Sequence, residues 1–99
     1  MLYAIISFDV PNSLPRRNPA RAAHLELLQA LKDAGRLELA GPYPAVDSEN
    51  PGEAGFHGSL VVAEFDNYDS AQAWADADPY IEARVYQETI VKPFKKVLP

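Results

Sequence analysis

Residues 2–10 read LYAIISFDV, and this stretch decides the fold. Its side chains alternate with a period of two, and most of them are aliphatic, β-branched or aromatic, which is typical of a β-strand. Pro11 and Asn12 end the run, because this pair favours a turn. Apolar residues occur in both alternating sets, so we predict a strand with partly apolar side chains on both of its faces.

The spacing changes to that of a helix between residues 19 and 34. His24 falls in line with Leu28 and Leu31 on one face, whereas polar side chains occupy the opposite face. Gly35 follows directly and is a common residue just past the end of a helix. The pattern therefore predicts an amphipathic helix whose apolar face includes His24.

The rest of the chain supplies three further strands and a second helix. The predicted elements are strands at residues 37–43, 59–65 and 86–98, a helix from Asp69 or Ser70 to Ala77, and a helical turn at 79–84. Residues 44–57 contain prolines and glycines and predict a long loop. Asp78 ends the second helix because the residue before Pro79 is pushed away from helical geometry. Pro93 predicts that the last strand lies at a sheet edge or carries a bulge.

This order of elements predicts an α+β, ferredoxin-like β-α-β-β-α-β fold in which residues 1–99 form a single domain. A right-handed crossover places the first two strands parallel, and the third fits between them, which gives a four-stranded antiparallel sheet of order 4-1-3-2. Two helices can cover only one face of this sheet. Since the other face is also partly apolar, we predict a homodimer that buries it.

Composition excludes several classes of function. The formal net charge is −5, which argues against nucleic acid as a partner, because phosphate binding needs a basic surface. There is no cysteine, so no disulfide, thiolate nucleophile or sulfur-based zinc site can form. No run reaches the roughly 18 apolar residues that a membrane span needs, and the first ten residues do not resemble a signal peptide. We therefore expect a cytoplasmic protein without a membrane partner.

His24 and Asp78 are the candidate catalytic residues. The predicted topology brings the upper end of the first helix, which carries His24, close to the end of the second helix, where Asp78 lies. A carboxylate beside an imidazole fixes its tautomer and favours the charged ring, so the pair could act as base and then as acid. Each residue also has a structural interpretation, His24 as a core histidine and Asp78 as a helix-ending residue.

Arg17 and Arg21 are candidate substrate-binding residues. Arginine near a helix start is electrostatically unfavourable unless an anion compensates it, and the unpaired N–H groups there already attract anions. A small anionic ligand would supply this compensation, and salt bridges to Asp or Glu are the alternative. We also assign Ser59 and Tyr80 to the substrate-binding set.

No cofactor or metal is assigned. A site formed by His24, His57 and Asp78 is chemically possible, but the spacing of these residues gives it no specific support. The three glycines within residues 52–58 lack the spacing of a phosphate-binding loop, so a flexible flap is the preferred interpretation of this segment.

Seven short segments together resemble the YciI, or YCII-related, family over essentially the whole chain. They are MLY at 1–3, AHL at 23–25, GRL at 35–37, AGP at 40–42, the loop at 47–58, AQAWADADPY at 71–80 and VKPFKKV at 91–97. The chain departs from the family where RAAH at 21–24 replaces the frequent Arg-Pro-Ala-His, and at Ile6, where an aromatic residue is frequent. These departures affect the shape of the expected pocket and leave His24 and Asp78 in place.

The resemblance implies a ferredoxin-like fold, a dimer related to the dimeric α/β barrels, and an active site centred on His24 and Asp78. One branch of the family resembles dehydrochlorinases and muconolactone-type isomerases of aromatic catabolism. We therefore expect a small-molecule enzyme in which this pair transfers a proton during elimination or isomerisation of a small carboxylated or phenolic compound. The alternative is a non-catalytic ligand-binding or structural dimer.

Overall fold

A computed structural model describes residues 1–99 as one four-stranded sheet with helices on one face. The elements are β1 (Leu2–Asp9), α1 (Leu14–Asp33), β2 (Leu37–Pro44), β3 (Phe56–Glu64), α2 (Tyr68–Asp76), α3 (Pro79–Glu82) and β4 (Tyr86–Phe94), with one 3-10 turn at Gly52–Ala54. The one-turn helix α3 lies within the helical turn predicted at 79–84. None of the helices combines the length and apolar character that crossing a membrane requires.

The sheet has the order β2-β3-β1-β4, and each neighbouring pair is antiparallel. This confirms the predicted order 4-1-3-2 and the α+β, ferredoxin-like fold. In the register, Ile5 of β1 lies between Val61 of β3 and Val91 of β4. Pro93 lies in β4, which is an edge strand, as a residue without a backbone donor requires.

The core lies between α1, α2 and the sheet face formed by the odd-numbered residues of β1. Its buried members are Tyr3, Ile5, Leu31, Val61, Ala63, Phe65, Ala71, Ala75 and Val91. Full burial of a Val, Leu, Ile or Phe side chain contributes about 1.5–3 kcal/mol, so this cluster is the main source of stability. Tyr3 and Phe65 meet edge to face, with ring centroids 6.3 Å apart.

The same sheet face becomes polar at the end where β1 finishes. Ser7, Asp9 and Ser59 are buried there although they occupy the same face as Ile5 and Val61. Ser7 Oγ and Thr89 Oγ1 are hydrogen bonded at 3.2 Å. One end of the helix-covered face is therefore an apolar core, and the other is a floor of hydrogen-bonding groups.

Helix α1 begins at Leu14, five residues earlier than the sequence predicted. The prediction took Pro19 as the first helical residue, but Pro15 occupies the first turn and Pro19 is accommodated inside the helix. His24 consequently lies in the middle of α1, not near its N-terminus. The hydroxyl of Ser13, the N-cap residue, makes no capping bond and instead donates to Asp9.

The boundaries of the later elements also differ from the predictions. Asn67, not Asp69 or Ser70, caps α2, since its side chain accepts a hydrogen bond from the Ser70 N–H at 2.8 Å. Strand β3 begins at Phe56, three residues early, and β4 ends at Phe94, four residues before the predicted end.

Candidate active site

His24 and Asp78 form a direct hydrogen bond in the interior of the protein. His24 Nδ1 lies 2.8 Å from Oδ1 and 3.0 Å from Oδ2 of Asp78, and both residues are buried. A carboxylate has no hydrogen to donate, so Nδ1 carries the proton and donates it. This fixes the neutral imidazole in the tautomer whose Nε2 is an acceptor.

The other ring nitrogen of His24 faces a cavity. No protein group is hydrogen bonded to Nε2, although no fully buried side-chain N or O atom in the structure lacks a partner. Nε2 is therefore accessible from the cavity that His24 lines. The plane of the ring is set by Tyr80, which stacks on it with centroids 3.9 Å apart and an interplanar angle of 6°.

Asp78 is held in place by the junction between α2 and α3. Its backbone N–H donates to the Ala75 carbonyl, and its Oδ1 caps α3 by accepting from the Tyr80 N–H at 2.9 Å. Because Pro79 keeps Asp78 out of helical geometry, the carboxylate projects from an extended residue toward α1. One side chain thus caps a helix and orients the histidine.

The cavity beside this pair has a volume of about 230 Å³. Half of its lining comes from one side of α1, at spacings of three and four residues, and the rest from β2, β3 and α3. The lining residues are Leu14, Arg17, Asn18, Arg21, His24, Leu25, Leu28, Ala40, Gly41, Pro42, Phe56, Ser59, Val61 and Tyr80. The cavity combines apolar walls with a few hydrogen-bonding groups, as small-molecule sites do.

Arg17 lies in the cavity wall, but its charge is already compensated. Its Nε and Nη2 donate to the two oxygens of Asp9 at 2.6 and 3.0 Å, and both side chains are buried. Burial alone lowers the pKa of the Arg17 guanidinium, but the hydrogen bond and charge of Asp9 outweigh it and raise the pKa. The salt-bridge alternative thus applies to Arg17, and Arg21 remains the candidate for a ligand anion.

A further contact of Arg17 explains the glycine at position 58. Arg17 Nη2 donates to the Gly58 carbonyl at 3.2 Å. A Cβ atom on Gly58 would lie 2.0 Å from the Ser7 carbonyl oxygen, so any side chain there would push β3 away from β1. The close approach of these two strands keeps the carbonyl within reach of the guanidinium.

Tyr80 lies between Arg17 and the His24–Asp78 pair. The guanidinium carbon of Arg17 lies 5.1 Å from the ring centroid of Tyr80 and also 5.1 Å from that of Phe56. Burial raises the pKa of Tyr80, against the opposing charges of Arg17 and Arg21. The phenol therefore remains protonated at neutral pH and is able to donate a hydrogen bond.

Ser59 lies in the cavity wall, and its hydroxyl is 2.9 Å from that of Tyr86. Burial raises the pKa of Tyr86 far above its ordinary value, although the Ser59 hydrogen bond opposes this, so this phenol is also neutral. The ring of Tyr86 meets that of Tyr80 edge to face at 5.7 Å.

The structure brings together all six residues assigned to the site from the sequence, since His24, Arg17, Arg21, Ser59 and Tyr80 line the cavity and Asp78 bonds to His24. His57 is not among them. It is exposed in the wall of a neighbouring cavity, and no group of three His, Asp or Glu side chains is arranged to hold a metal. The structure therefore does not bring together His24, His57 and Asp78. Of residues 47–58, only Phe56 lines the site, so the segment interpreted as a flap does not cover this cavity.

Sequence reasoning missed three polar partners of the site, namely Asp9, Ser13 and Tyr86. A signal was present for Asp9, since it follows Tyr3, Ile5 and Ser7 on the same face and must be buried if the alternation continues. A carboxylate at a buried position requires a positive or hydrogen-bonding partner. No comparable signal exists for Tyr86, whose contact with Ser59 depends on the packing of separate strands.

Comparison with known proteins identifies the family of this chain. A family model described as the YCII-related domain matches residues 1–95. The chain belongs to this family. Protein YciI of Escherichia coli O6:H1 is 60% identical over 97 residues, which cover 98% of this chain and 99% of that protein. An uncharacterized protein of Haemophilus influenzae is 54% identical with the same coverage. The resemblance noted in the sequence is thus confirmed.

A solved structure covers nearly the whole chain. It is a 5-chloro-2-hydroxyhydroquinone dehydrochlorinase from Burkholderia phenoliruptrix, in complex with 2,5-dihydroxybenzoquinone. It superposes with a TM-score of 0.84 at 29% sequence identity, over 96% of this chain and 94% of that one. This relative, which has the same fold, therefore binds a small hydroxylated ring compound.

Proposed function

We propose that this protein is an enzyme that transfers a proton on a small phenolic or carboxylated compound, with His24 as the base and Asp78 as its orienting partner. The observation that carries the proposal is the division of labour between the two ring nitrogens. Nδ1 is bonded to Asp78, while Nε2 faces a cavity without a protein partner. A purely structural histidine would have both nitrogens bonded to protein groups.

The reaction class follows from what this pair is able to do. In an elimination, Nε2 accepts a proton from the ligand, the electrons of the broken bond form a new double bond, and an anion such as chloride leaves. The neighbouring carboxylate stabilises the imidazolium that forms. In an isomerisation, the same imidazolium returns the proton to another atom of the ligand, so that one group serves as base and then as acid.

The cavity walls favour a small planar ligand with at least one acidic oxygen. Its volume of about 230 Å³ accommodates a single substituted ring, and Leu25, Leu28 and Pro42 supply apolar contacts. Arg21 lines the rim, and no carboxylate forms a salt bridge with it. The dehydrochlorinase structure, with its dihydroxybenzoquinone, supports the same class of ligand.

The proposal is tested with two ring compounds and two histidine variants. Chloride release from 5-chloro-2-hydroxyhydroquinone measures elimination, and loss of the ring-proton NMR signal of 2,5-dihydroxybenzoquinone in D₂O measures proton transfer without a leaving group. We expect His24→Gln to reduce either rate by about 10²–10⁴-fold while the circular dichroism spectrum stays unchanged.

His57→Gln is the matched control, because His57 is the only other histidine and lies outside the cavity. It should retain the wild-type rate. Binding of both compounds without any rate that depends on His24 would contradict the enzyme proposal and favour the ligand-binding alternative.

We also propose that the uncovered face of the sheet is the interface of a homodimer. This face carries exposed Phe8, Leu39 and Phe94, and Ala4, Ile6 and Val62 line a groove of about 440 Å³ beside the C-terminal residues. An apolar surface of this kind is unusual for a monomer. Light scattering at micromolar concentration should give twice the mass of one chain, and Leu39→Glu should lower it. A mass of one chain would refute the dimer.

A further inference from the structure

Ser59 and Tyr86 form an isolated pair of hydroxyl groups beside the candidate active site. Their oxygens lie 2.9 Å apart, and no other side-chain hydrogen bond involves either of them. Ser59 is buried and lines the cavity, whereas Tyr86 is half-buried and does not line it. The two residues belong to β3 and β4, the strands that flank β1, so their contact spans the polar floor of the sheet.

The pair has two hydroxyl hydrogens and uses only one of them internally. If Tyr86 donates to Ser59, the free hydrogen belongs to Ser59 and is available to the cavity. If Ser59 donates instead, the free hydrogen belongs to Tyr86, which packs against Tyr80 outside the cavity lining. A ligand oxygen in the cavity therefore favours the first arrangement, because only that one provides it with a donor.

The protonation state of Tyr86 is compatible with this role. Burial raises the pKa of the phenol far above its ordinary value. Tyr86 consequently stays neutral throughout the neutral pH range and always has a hydrogen to donate.

We propose that Tyr86 is a positioning residue that turns the Ser59 hydroxyl into the cavity, where Ser59 donates a hydrogen bond to an anionic oxygen of the ligand. This inference rests on the proposed function and names the group that stabilises negative charge on the ligand while His24 handles the proton. Hydrogen bonds to charged oxygens are shorter and stronger than neutral ones, and fixed donors at developing charge accelerate such reactions.

The test uses 2,5-dihydroxybenzoquinone, an acidic compound that is anionic at neutral pH and absorbs visible light. Binding and the absorption band of the bound compound are measured for wild type, Ser59→Ala, Tyr86→Phe and the double variant. We expect Ser59→Ala to weaken binding by about tenfold or more and Tyr86→Phe by about threefold. Both should shift the band, since the band responds to hydrogen bonding at the oxygens. The double variant should bind no more weakly than Ser59→Ala.

Two further variants separate positioning from packing. Ser59→Thr keeps the hydroxyl and should retain the wild-type band, which a merely structural role would not require. Tyr68→Phe removes the hydroxyl of an exposed tyrosine outside the cavity and should change nothing.

Three other outcomes would contradict the proposed role of Tyr86, the hydrogen bond from Ser59 or the ligand class. Additive losses in the double variant would show that Tyr86 does not act through Ser59. An unchanged band in Ser59→Ala would refute the hydrogen bond to the ligand but leave the His24 proposal intact. Failure of the wild type to bind the quinone would overturn the proposed ligand class and this inference together.

Discussion

The odd-numbered side chains of β1 all lie on the helix-covered face of the sheet and are similarly buried. Those in the first half of the strand are apolar, whereas those in the second half are polar. Tyr3 and Ile5 are 5% and 4% exposed and pack in the apolar core, whereas Ser7 and Asp9 are 2% and 9% exposed and make hydrogen bonds. Burial alone therefore does not decide which residues the face carries. The change occurs beside the cavity, since Ser59, which pairs with Ser7, and Arg17, which binds Asp9, both line it.

This difference separates what stabilises the fold from what prepares the site. An apolar pair at the positions of Asp9 and Arg17 would pack without any desolvation cost, while an ion pair must recover that cost through its geometry. Retaining a buried ion pair beside a cavity is expected where its charges or its rigidity serve the ligand. The comparison predicts that apolar side chains can replace the buried ion pair with little loss of stability. It also predicts that changes in the apolar half of β1 leave ligand binding unchanged.

The largest expected effect comes from removing only one charge of the Asp9–Arg17 ion pair. Asp9→Asn leaves the buried Arg17 charge without its carboxylate and should lower the free energy of unfolding by about 3–5 kcal/mol. The double variant Asp9→Leu/Arg17→Met removes both charges, and its free energy of unfolding should return to within about 1–2 kcal/mol of wild type. Urea denaturation monitored by Trp74 fluorescence measures both.

The comparison would fail if the double variant were as unstable as Asp9→Asn. The ion pair would then be required by the fold itself. The affinity for 2,5-dihydroxybenzoquinone tests the other half of the prediction. The double variant Asp9→Leu/Arg17→Met should bind this compound more weakly than wild type does.

A second prediction concerns the apolar half. Ile5→Ala should lower the free energy of unfolding by about 2–5 kcal/mol, because it leaves a cavity between Val61 and Val91. The affinity of the folded fraction for 2,5-dihydroxybenzoquinone should not change. Ile81→Ala, at an exposed position of α3, is the control and should cost less than about 1 kcal/mol. A loss of affinity in Ile5→Ala would mean that core and site are not separable.

The sequence predicted the apolar half well and the polar half only in part. Alternation in residues 2–10, followed by two helices and three further strands, was sufficient for the strand order, because few topologies satisfy the crossover rules. The His24–Asp78 pair was also predicted, since helical phase and Pro79 each constrain one partner. That prediction survived an error in the start of α1, because α3 approaches the middle of the helix.

The remaining features of the site depend on contacts that a linear pattern does not contain. Ser59 and Tyr86 meet across strand β1, and Arg17 finds Asp9 only because α1 begins one turn before Pro19. A proline early in a helix has two interpretations, as its first residue or as a tolerated interior residue. A helix that begins at Pro19 leaves Arg17 outside it, so the predicted helix does not indicate the contact of Arg17 with Asp9.

A third prediction concerns the partner of His24. Asp78→Asn preserves the cap of α3, because asparagine is as good an N-cap as aspartate, so the stability should change little. The negative charge that supports the imidazolium is lost, and the rate should fall by about 10- to 100-fold, less than for His24→Gln. Nitrogen-15 NMR should show a mixture of ring tautomers for His24, whereas the His57 signals stay constant. A single unchanged tautomer would contradict the role of Asp78.

The smallest expected effect is the dependence of stability on alkaline pH. Burial raises the pKa of Tyr86, so the folded protein keeps this proton at a pH where the unfolded chain has lost it. The contribution of Tyr86 to stability is therefore complete below the ordinary tyrosine pKa of about 10 and declines as the pH rises through the folded value. In that range the free energy of unfolding should fall by about 1.4 kcal/mol per pH unit for this residue.

Tyr86→Phe removes this contribution while it keeps the ring against Tyr80. Urea denaturation between about pH 9 and 11 measures its free energy of unfolding, which should fall less steeply with pH than that of the wild type. The difference between the two slopes should approach about 1.4 kcal/mol per pH unit, which corresponds to one proton, at the alkaline end of this range. Equal slopes in the two proteins would mean that Tyr86 ionises freely in the folded state. Its hydroxyl would then lose its hydrogen as readily as in the unfolded chain, and Tyr86 could not act as a constant donor to Ser59.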